Sequence, residues 1–224
     1  MKKSNFFLIA FVVAGLGDVI SLAVDFDAQY VFKPVIIPLL IGYYQSLTKQ
    51  KNPIFIRALL FCWAGDFILM FAGQGQIYFV LGLLAFLIGH LFYIFSFRQF
   101  VWEQESHLLP TQKVRYVFPV LLAGTGLMVV LYPVLGDLKM PVMLYAIILM
   151  LMVSYALLRI GRTSRPSFNW VFIGAVFFML SDSLLAINKF HSPFYMASVI
   201  VMATYILAQY MIVKGVLLHP EKVS

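Results

Sequence analysis

The sequence predicts an all-α fold, a polytopic membrane helix bundle of eight transmembrane helices in one domain, with both termini cytoplasmic. Three observations lead there. Of the 224 residues 62% are hydrophobic and only 11% charged, with a mean hydropathy of +0.95, whereas a soluble domain is about a quarter charged. Too few polar side chains remain to cover a water-facing surface, so a soluble enzyme, a disordered linker and a nucleic-acid-binding domain all fit poorly. Second, the chain divides into apolar runs near the roughly 20 residues a helix needs to cross the hydrocarbon core. Third, the basic residues fall almost wholly on alternate breaks between those runs, as the positive-inside rule requires.

The first run, about 5–24, follows Met1-Lys2-Lys3 and ends at Asp25-Phe26-Asp27. It lacks a convincing small-residue cleavage site and is read as a retained helix, not a signal peptide. The second, about 30–47, opens on Lys33-Pro34 and stops at the polar stretch from Thr48 to Pro53. The third, about 54–72, holds Ala64-Gly65-Asp66 and ends at Gly73-Gln74-Gly75-Gln76. The fourth, about 76–97, runs into the longest break, Arg98 to Val114, which carries Arg98, Glu103, Glu105 and Lys113 and is the only place for a small extramembrane element. Runs at about 115–133 and 138–159 follow, closed by the break from Arg159 to Pro166. The last two, about 168–187 and 193–217, are separated by Asn188 to Pro193.

With both termini cytoplasmic, 13 of the 16 lysines and arginines share that side, and only Lys33, Lys139 and Lys189 lie opposite. That bias supports an even number of spans. The net charge of +7 is thus an orientation signal, reinforced by anionic lipid, and calls for no nucleic-acid partner.

Three of the nine acidic residues fall inside spans: Asp18, Asp66 and Asp182. A carboxylate at the bilayer centre costs about 2.5–3.5 kcal/mol on insertion scales, so such residues face the bundle interior and mark function. Each lies about 12–14 residues into a span of the same direction, roughly 20 Å deep at 1.5 Å per residue. All three therefore fit one layer. Each also follows a small residue (Gly17, Gly65, Ser181), which lets helices approach closely and turns the acid toward protein. Gly174, Phe178, Ser181, Asp182, Leu185 and Asn188 share one face of the seventh span; Gly82, Phe86, Gly89, His90 and Tyr93 form a similar stripe on the fourth. The eighth offers Ser198, Met202, Tyr205 and Gln209.

Bland alternatives stand beside these. Asp18 has only its depth to single it out and serves equally as a structural partner. Asp66 and Asp182 could be protonated acids in interhelical hydrogen bonds, His90 a packing histidine, Tyr205 and Gln209 helix-packing polar groups, and Lys33 an interfacial snorkeller. Metal chemistry is not expected: Cys62 is the one cysteine, no two histidines share a helix face, and His107, His191 and His219 fall in loops or tails. Gly15-Leu16-Gly17-Asp18 matches the G-x-G-D string of intramembrane aspartyl proteases, but the string is short and the other motifs of such proteases are missing.

In order along the chain, Lys33-Pro34, Ala64-Gly65-Asp66, Gly89-His90-Leu91-Phe92-Tyr93, Phe178-Met179-Leu180-Ser181-Asp182 and Tyr205-Ile206-Leu207-Ala208-Gln209 resemble the YhhN family of membrane proteins, which includes the lysoplasmalogenases. Asp18 matches no motif of that family. The resemblance implies hydrolysis of the vinyl ether bond of a lysoplasmalogen, a lysophospholipid, to a fatty aldehyde and a glycerophospho-ethanolamine or -choline. It implies Asp66 and Asp182 as the catalytic acids, with no cofactor.

The chemistry is compatible with two carboxyl groups. A vinyl ether resists base but yields to acid: protonation of the carbon β to oxygen gives an oxocarbenium ion, water traps it, and the hemiacetal collapses to aldehyde and alcohol. Two neighbouring carboxyls in a poorly hydrated layer do not both ionise readily, which leaves one acid and one carboxylate. His90, Tyr93, Tyr205 and Gln209 would orient water or the departing glycerol oxygen, Ser181 would help bind substrate, and Lys33 would attract the head-group phosphate while the alkenyl chain enters between helices. Asp18 is a possible third acid. The rival class is a small proton-coupled transporter or channel, which also uses midplane carboxylates. Against it, no pair of broken helices recurs in two matching halves. The protease comes third.

Overall fold

A computed structural model of the chain describes residues 3–24, 26, 29–49, 51–102 and 108–219. Lys2, Asp25, Asp27, Glu103, Glu105, His107 and Lys222, all weighed above, lie outside the described residues. Among those described, eight α-helices follow one another: α1 (Lys3–Ala23), α2 (Gln29–Leu47), α3 (Pro53–Leu69), α4 (Gln76–Gln99), α5 (Pro110–Leu131), α6 (Lys139–Leu157), α7 (Arg165–Ala186) and α8 (Ala197–Leu217). Short 3-10 turns link α5 to α6, and a π-turn, Ile187–His191, extends α7.

The helices begin where local chemistry starts them. Asn52 caps α3 by accepting the Phe55 amide at 2.9 Å, with Pro53 at the first helical position. Ser164 caps α7 through the Ser167 amide at 3.3 Å, ahead of Pro166. Met196, with φ of 54°, turns the chain into α8.

The expectation of eight spans does not hold. Among the described residues six helical stretches are long and apolar enough to cross a membrane: Lys3–Ala23, Gln76–Gln99, Pro110–Val134, Gly136–Leu157, Arg165–His191 and Ala197–Leu217. The two that fail are α2 and α3. The 17 residues of α3 rise about 26 Å, short of a core about 30 Å thick. In α2, Lys33, Pro34, Pro38 and Gln45 dilute the apolar content. The run read as a third span, about 54–72, is longer than the helix that forms, because the chain leaves the helix after Leu69 and turns toward Gly75. With the count of eight goes the placing of both termini in the cytoplasm, since the charge argument depended on the alternation.

The core gathers residues of α1–α4 and α6–α8 around Leu40, Phe55, Tyr93, Phe178 and Ile212. Its tightest contacts are at glycine. A Cβ on Gly174 would lie 2.9 Å from the Ile212 amide nitrogen and 3.0 Å from the Ala208 carbonyl oxygen, so α7 and α8 meet backbone to backbone there. At one end of the bundle the buried Arg159 guanidinium ties three helices. Its Nε and Nη2 donate to the Phe100 carbonyl at 3.2 and 3.1 Å, Nη2 also donates to Ser167 Oγ at 2.9 Å, and that hydroxyl donates to the Gly215 carbonyl at 2.7 Å. Burial lowers Arg159 to about 10, which leaves it cationic at neutral pH.

Candidate active site

At the other end of the bundle, where α3 turns into α4 and α7 into α8, lies a cavity of about 190 Å³. Asp66 from the last turn of α3 and Asp182 from α7 both line it, together with Lys33, Ser181 and Tyr205. Asn188 and Lys189, from the π-turn, complete its polar lining. Leu69, Ala72, Phe79, Phe86, Leu185, Val201 and Met202 supply the apolar remainder. Close approach of α3 and α4 shapes this wall: a Cβ on Gly65 would fall 2.5 Å from the Phe86 ring.

Each acid has its own tyrosine. The Tyr205 hydroxyl donates to Asp66 Oδ2 at 2.6 Å, and the Tyr145 hydroxyl donates to Asp182 Oδ2 at 2.5 Å. Phe178 lies edge-on to Tyr205, with ring centroids 5.4 Å apart, and to His90 at 4.7 Å, and His90 lies edge-on to Tyr145 at 5.4 Å.

The two halves differ behind the carboxyls. Tyr93 donates to Gln209 Oε1 at 2.5 Å, Gln209 Nε2 donates to the Tyr205 hydroxyl at 3.1 Å, and Tyr205 passes the polarity on to Asp66. Every donor in this buried series points the same way, which strengthens the last bond. Asp182 instead has His90 Nε2 at 3.9 Å, too long for a hydrogen bond. Both ring nitrogens of the buried His90 are without a hydrogen-bond partner among the described residues.

Of the residues singled out from sequence, Lys33, Asp66, Ser181, Asp182 and Tyr205 come together on the cavity. Ser181 spends its hydroxyl on the Val201 carbonyl of α8, at 2.9 Å. His90, Tyr93 and Gln209 are fully buried behind the lining. Asp18 does not join them. It is buried in α1 with neither carboxylate oxygen hydrogen-bonded among the described residues, and it does not line the cavity. The glycines of its G-x-G-D string have packing reasons: a Cβ on Gly15 would meet Ile206 of α8 at 3.3 Å, and one on Gly17 would meet Phe32 of α2 at 2.8 Å. Sequence reasoning missed Tyr145 and Lys189. Only Tyr145's isolation in an aliphatic stretch of α6 could have flagged it.

Comparison with known proteins places the chain in a family. Lysoplasmalogenase TMEM86B of Homo sapiens is 33% identical over 142 residues, covering 63% of this chain and 55% of that protein. The lysoplasmalogenase of Mycobacterium tuberculosis (strain CDC 1551 / Oshkosh) is 34% identical over 138 residues, 60% of this chain and 49% of that one. Lysoplasmalogenase TMEM86A of Homo sapiens is 31% identical over 160 residues, 69% and 61% respectively. The matched stretch thus spans about half to three-fifths of the length of these relatives. No solved structure matches the chain. The YhhN family model matches residues 28–216, a stretch that takes in every residue of the cavity and leaves Asp18 outside. With most of its length inside that match, the chain is an integral, multi-pass membrane protein that belongs to the YhhN family.

Proposed function

We propose that this protein hydrolyses the vinyl ether bond of a lysoplasmalogen, with Asp66 and Asp182 as the acid and carboxylate of the reaction. One observation carries the reading: the two carboxyl groups line a single cavity that also holds the ammonium-bearing side chains of Lys33 and Lys189. The names of the relatives point to the same substrate class.

The reaction asks for a proton donor, a negative charge beside a developing oxocarbenium ion, and a water. One carboxyl supplies the proton to the β carbon. The other stays ionised, offsets the cation in a medium of low dielectric constant, and takes the proton from water as it adds to the α carbon. Collapse of the hemiacetal breaks the bond to the glycerol oxygen and restores both groups. Lys33 and Lys189 suit a phosphate-bearing head group. Tyr205 and Tyr145 orient the acids, and Gln209 and Tyr93 act through Tyr205.

The test is aldehyde release by the purified protein from an alkenyl lysophospholipid, with the acyl counterpart as control, in deuterium oxide. Activity on the alkenyl lipid alone is expected, with one solvent deuterium on carbon 2 of the trapped aldehyde. Absence of aldehyde, or aldehyde without that deuterium, contradicts the proposal.

A further inference from the structure

A second, apolar hollow of about 40 Å³ adjoins the acid cavity. Leu69, Phe79, Phe86, Asp182 and Leu185 border both, whereas Asp66 and Lys33 border only the first. The rest of the hollow is Leu83 of α4, Val142 and Tyr145 of α6, and Ala186 and Phe190 at the end of α7. It therefore runs from Asp182 outward between α4, α6 and α7. At its far side Leu83 and Phe190 pack with Val142 against the small cluster of Leu131 and Leu135. The Phe79 and Phe190 rings meet edge to face at 5.5 Å across it.

We infer that this slot holds the start of the substrate's alkenyl chain, and that it sets which carbon faces which acid. The inference rests on the vinyl ether reading above. A lysolipid has its phosphate on one side of the ether oxygen and its chain on the other. With the phosphate beside Lys33, which borders only the first cavity, the slot past Asp182 offers the chain an apolar continuation of the cavity's lining. The β carbon belongs to the chain side, so Asp182 stands beside the atom that is protonated. Asp66, at the head-group side, faces the water and the glycerol oxygen.

The proton sequence then balances. Protonated Asp182 gives its proton to the β carbon as the alkene electron pair forms the new C–H bond. Water adds to the α carbon and loses a proton to ionised Asp66. Asp66 returns that proton to the glycerol oxygen as the C–O bond breaks, and the hemiacetal hydroxyl proton goes back to Asp182. At about 40 Å³ the slot has room for little more than one small group. Leu83, Val142 and Phe190 are thus the residues that decide which chains fit.

The experiment compares hexadecenyl and butenyl lysoplasmalogens in wild type, Val142→Phe and Phe190→Ala. Val142→Phe is expected to cut kcat/KM for the hexadecenyl substrate at least tenfold and to leave the butenyl substrate within about twofold, since a large side chain blocks the slot. Phe190→Ala is expected to keep or improve the long chain. Equal losses on both substrates, or no loss on either, overturn the slot. Binding of non-hydrolysable hexadecyl and butyl ether analogues to the same proteins separates this from failure of the reading: the chain-length difference must persist there even if no aldehyde forms. Chemical rescue tests the assignment. Formate should restore Asp182→Ala better as pH falls and Asp66→Ala better as pH rises; the reverse order overturns it.

Discussion

Tyr205→Phe removes one oxygen atom and leaves the ring. The lost hydroxyl donates to Asp66 at 2.6 Å and accepts from Gln209 at 3.1 Å. A hydrogen bond to a charged group is worth about 1.5–3 kcal/mol. If Asp66 must stay ionised while its neighbour is protonated, that loss falls on the transition state and lowers kcat by about 10- to 150-fold. KM should stay within about twofold, because the hydroxyl serves Asp66 and not the lipid. A second cost is separable. Gln209 Nε2, which loses the Tyr205 hydroxyl as acceptor in a fully buried position, destabilises the fold by about 1–3 kcal/mol. The edge-on contacts of ring 205 with Phe86 at 5.9 Å and Phe178 at 5.4 Å persist. Adding both Gln209→Leu and Tyr93→Phe to Tyr205→Phe, so that no member of the buried series is left unpaired, should therefore recover part of the stability and none of the activity. Aldehyde release and thermal unfolding in the same detergent read the two effects. A folded Tyr205→Phe protein with wild-type kcat would refute the role of this bond in holding Asp66.

Three other perturbations probe different links. Lys33→Ala should raise KM for the lysophospholipid about fivefold with little change in kcat, the worth of one interfacial cation against a phosphate; an alkenylglycerol without phosphate should show no change. Gly174→Ala forces a methyl against the α8 backbone and should cost about 1–3 kcal/mol in unfolding, while Gly126→Ala, with nothing within 4 Å, should be neutral or stabilise by about 0.5–1 kcal/mol. Arg159→Met leaves the Phe100 carbonyl without its guanidinium donors and should lower unfolding stability by about 1–3 kcal/mol, with kcat/KM of the folded fraction unchanged because the site lies at the other end.

The cavity was legible as far as single residues advertise their cost. Asp66 and Asp182 stand out because a carboxylate in an apolar helix has to be explained, and the glycine and serine before them say that protein, not lipid, receives them. Asp18 and Asp66 are buried, and Asp182 keeps 12% of its side chain exposed. What depth alone could not supply was azimuth. Asp18 is buried as well, yet it stays off the cavity's lining, and no spacing along one helix reveals how a neighbouring helix is rotated. The face through Gly174, Phe178, Ser181 and Asn188 likewise divides in two: Gly174 and Ser181 serve the contact with α8, and Asn188 the cavity.

Tyr145 was illegible because a tyrosine in a membrane helix is common, and its purpose appears only with Asp182 opposite. The span count failed for a related reason. Apolarity does not report where a helix ends, and the apolar run read to residue 72 leaves the helix after Leu69. The family motifs did better, since their order along the chain encodes the assembled cavity.

The central claim is that Asp66 and Asp182 act as one unit. It is tested most directly by kcat/KM on a lysoplasmalogen for Asp66→Asn, Asp182→Asn and the double variant, each shown folded by thermal unfolding. Groups that work together are grossly non-additive. Each single change should abolish nearly all turnover, and the double should be no worse than the poorer single. Multiplying losses, or near wild-type turnover in either folded single, would contradict it.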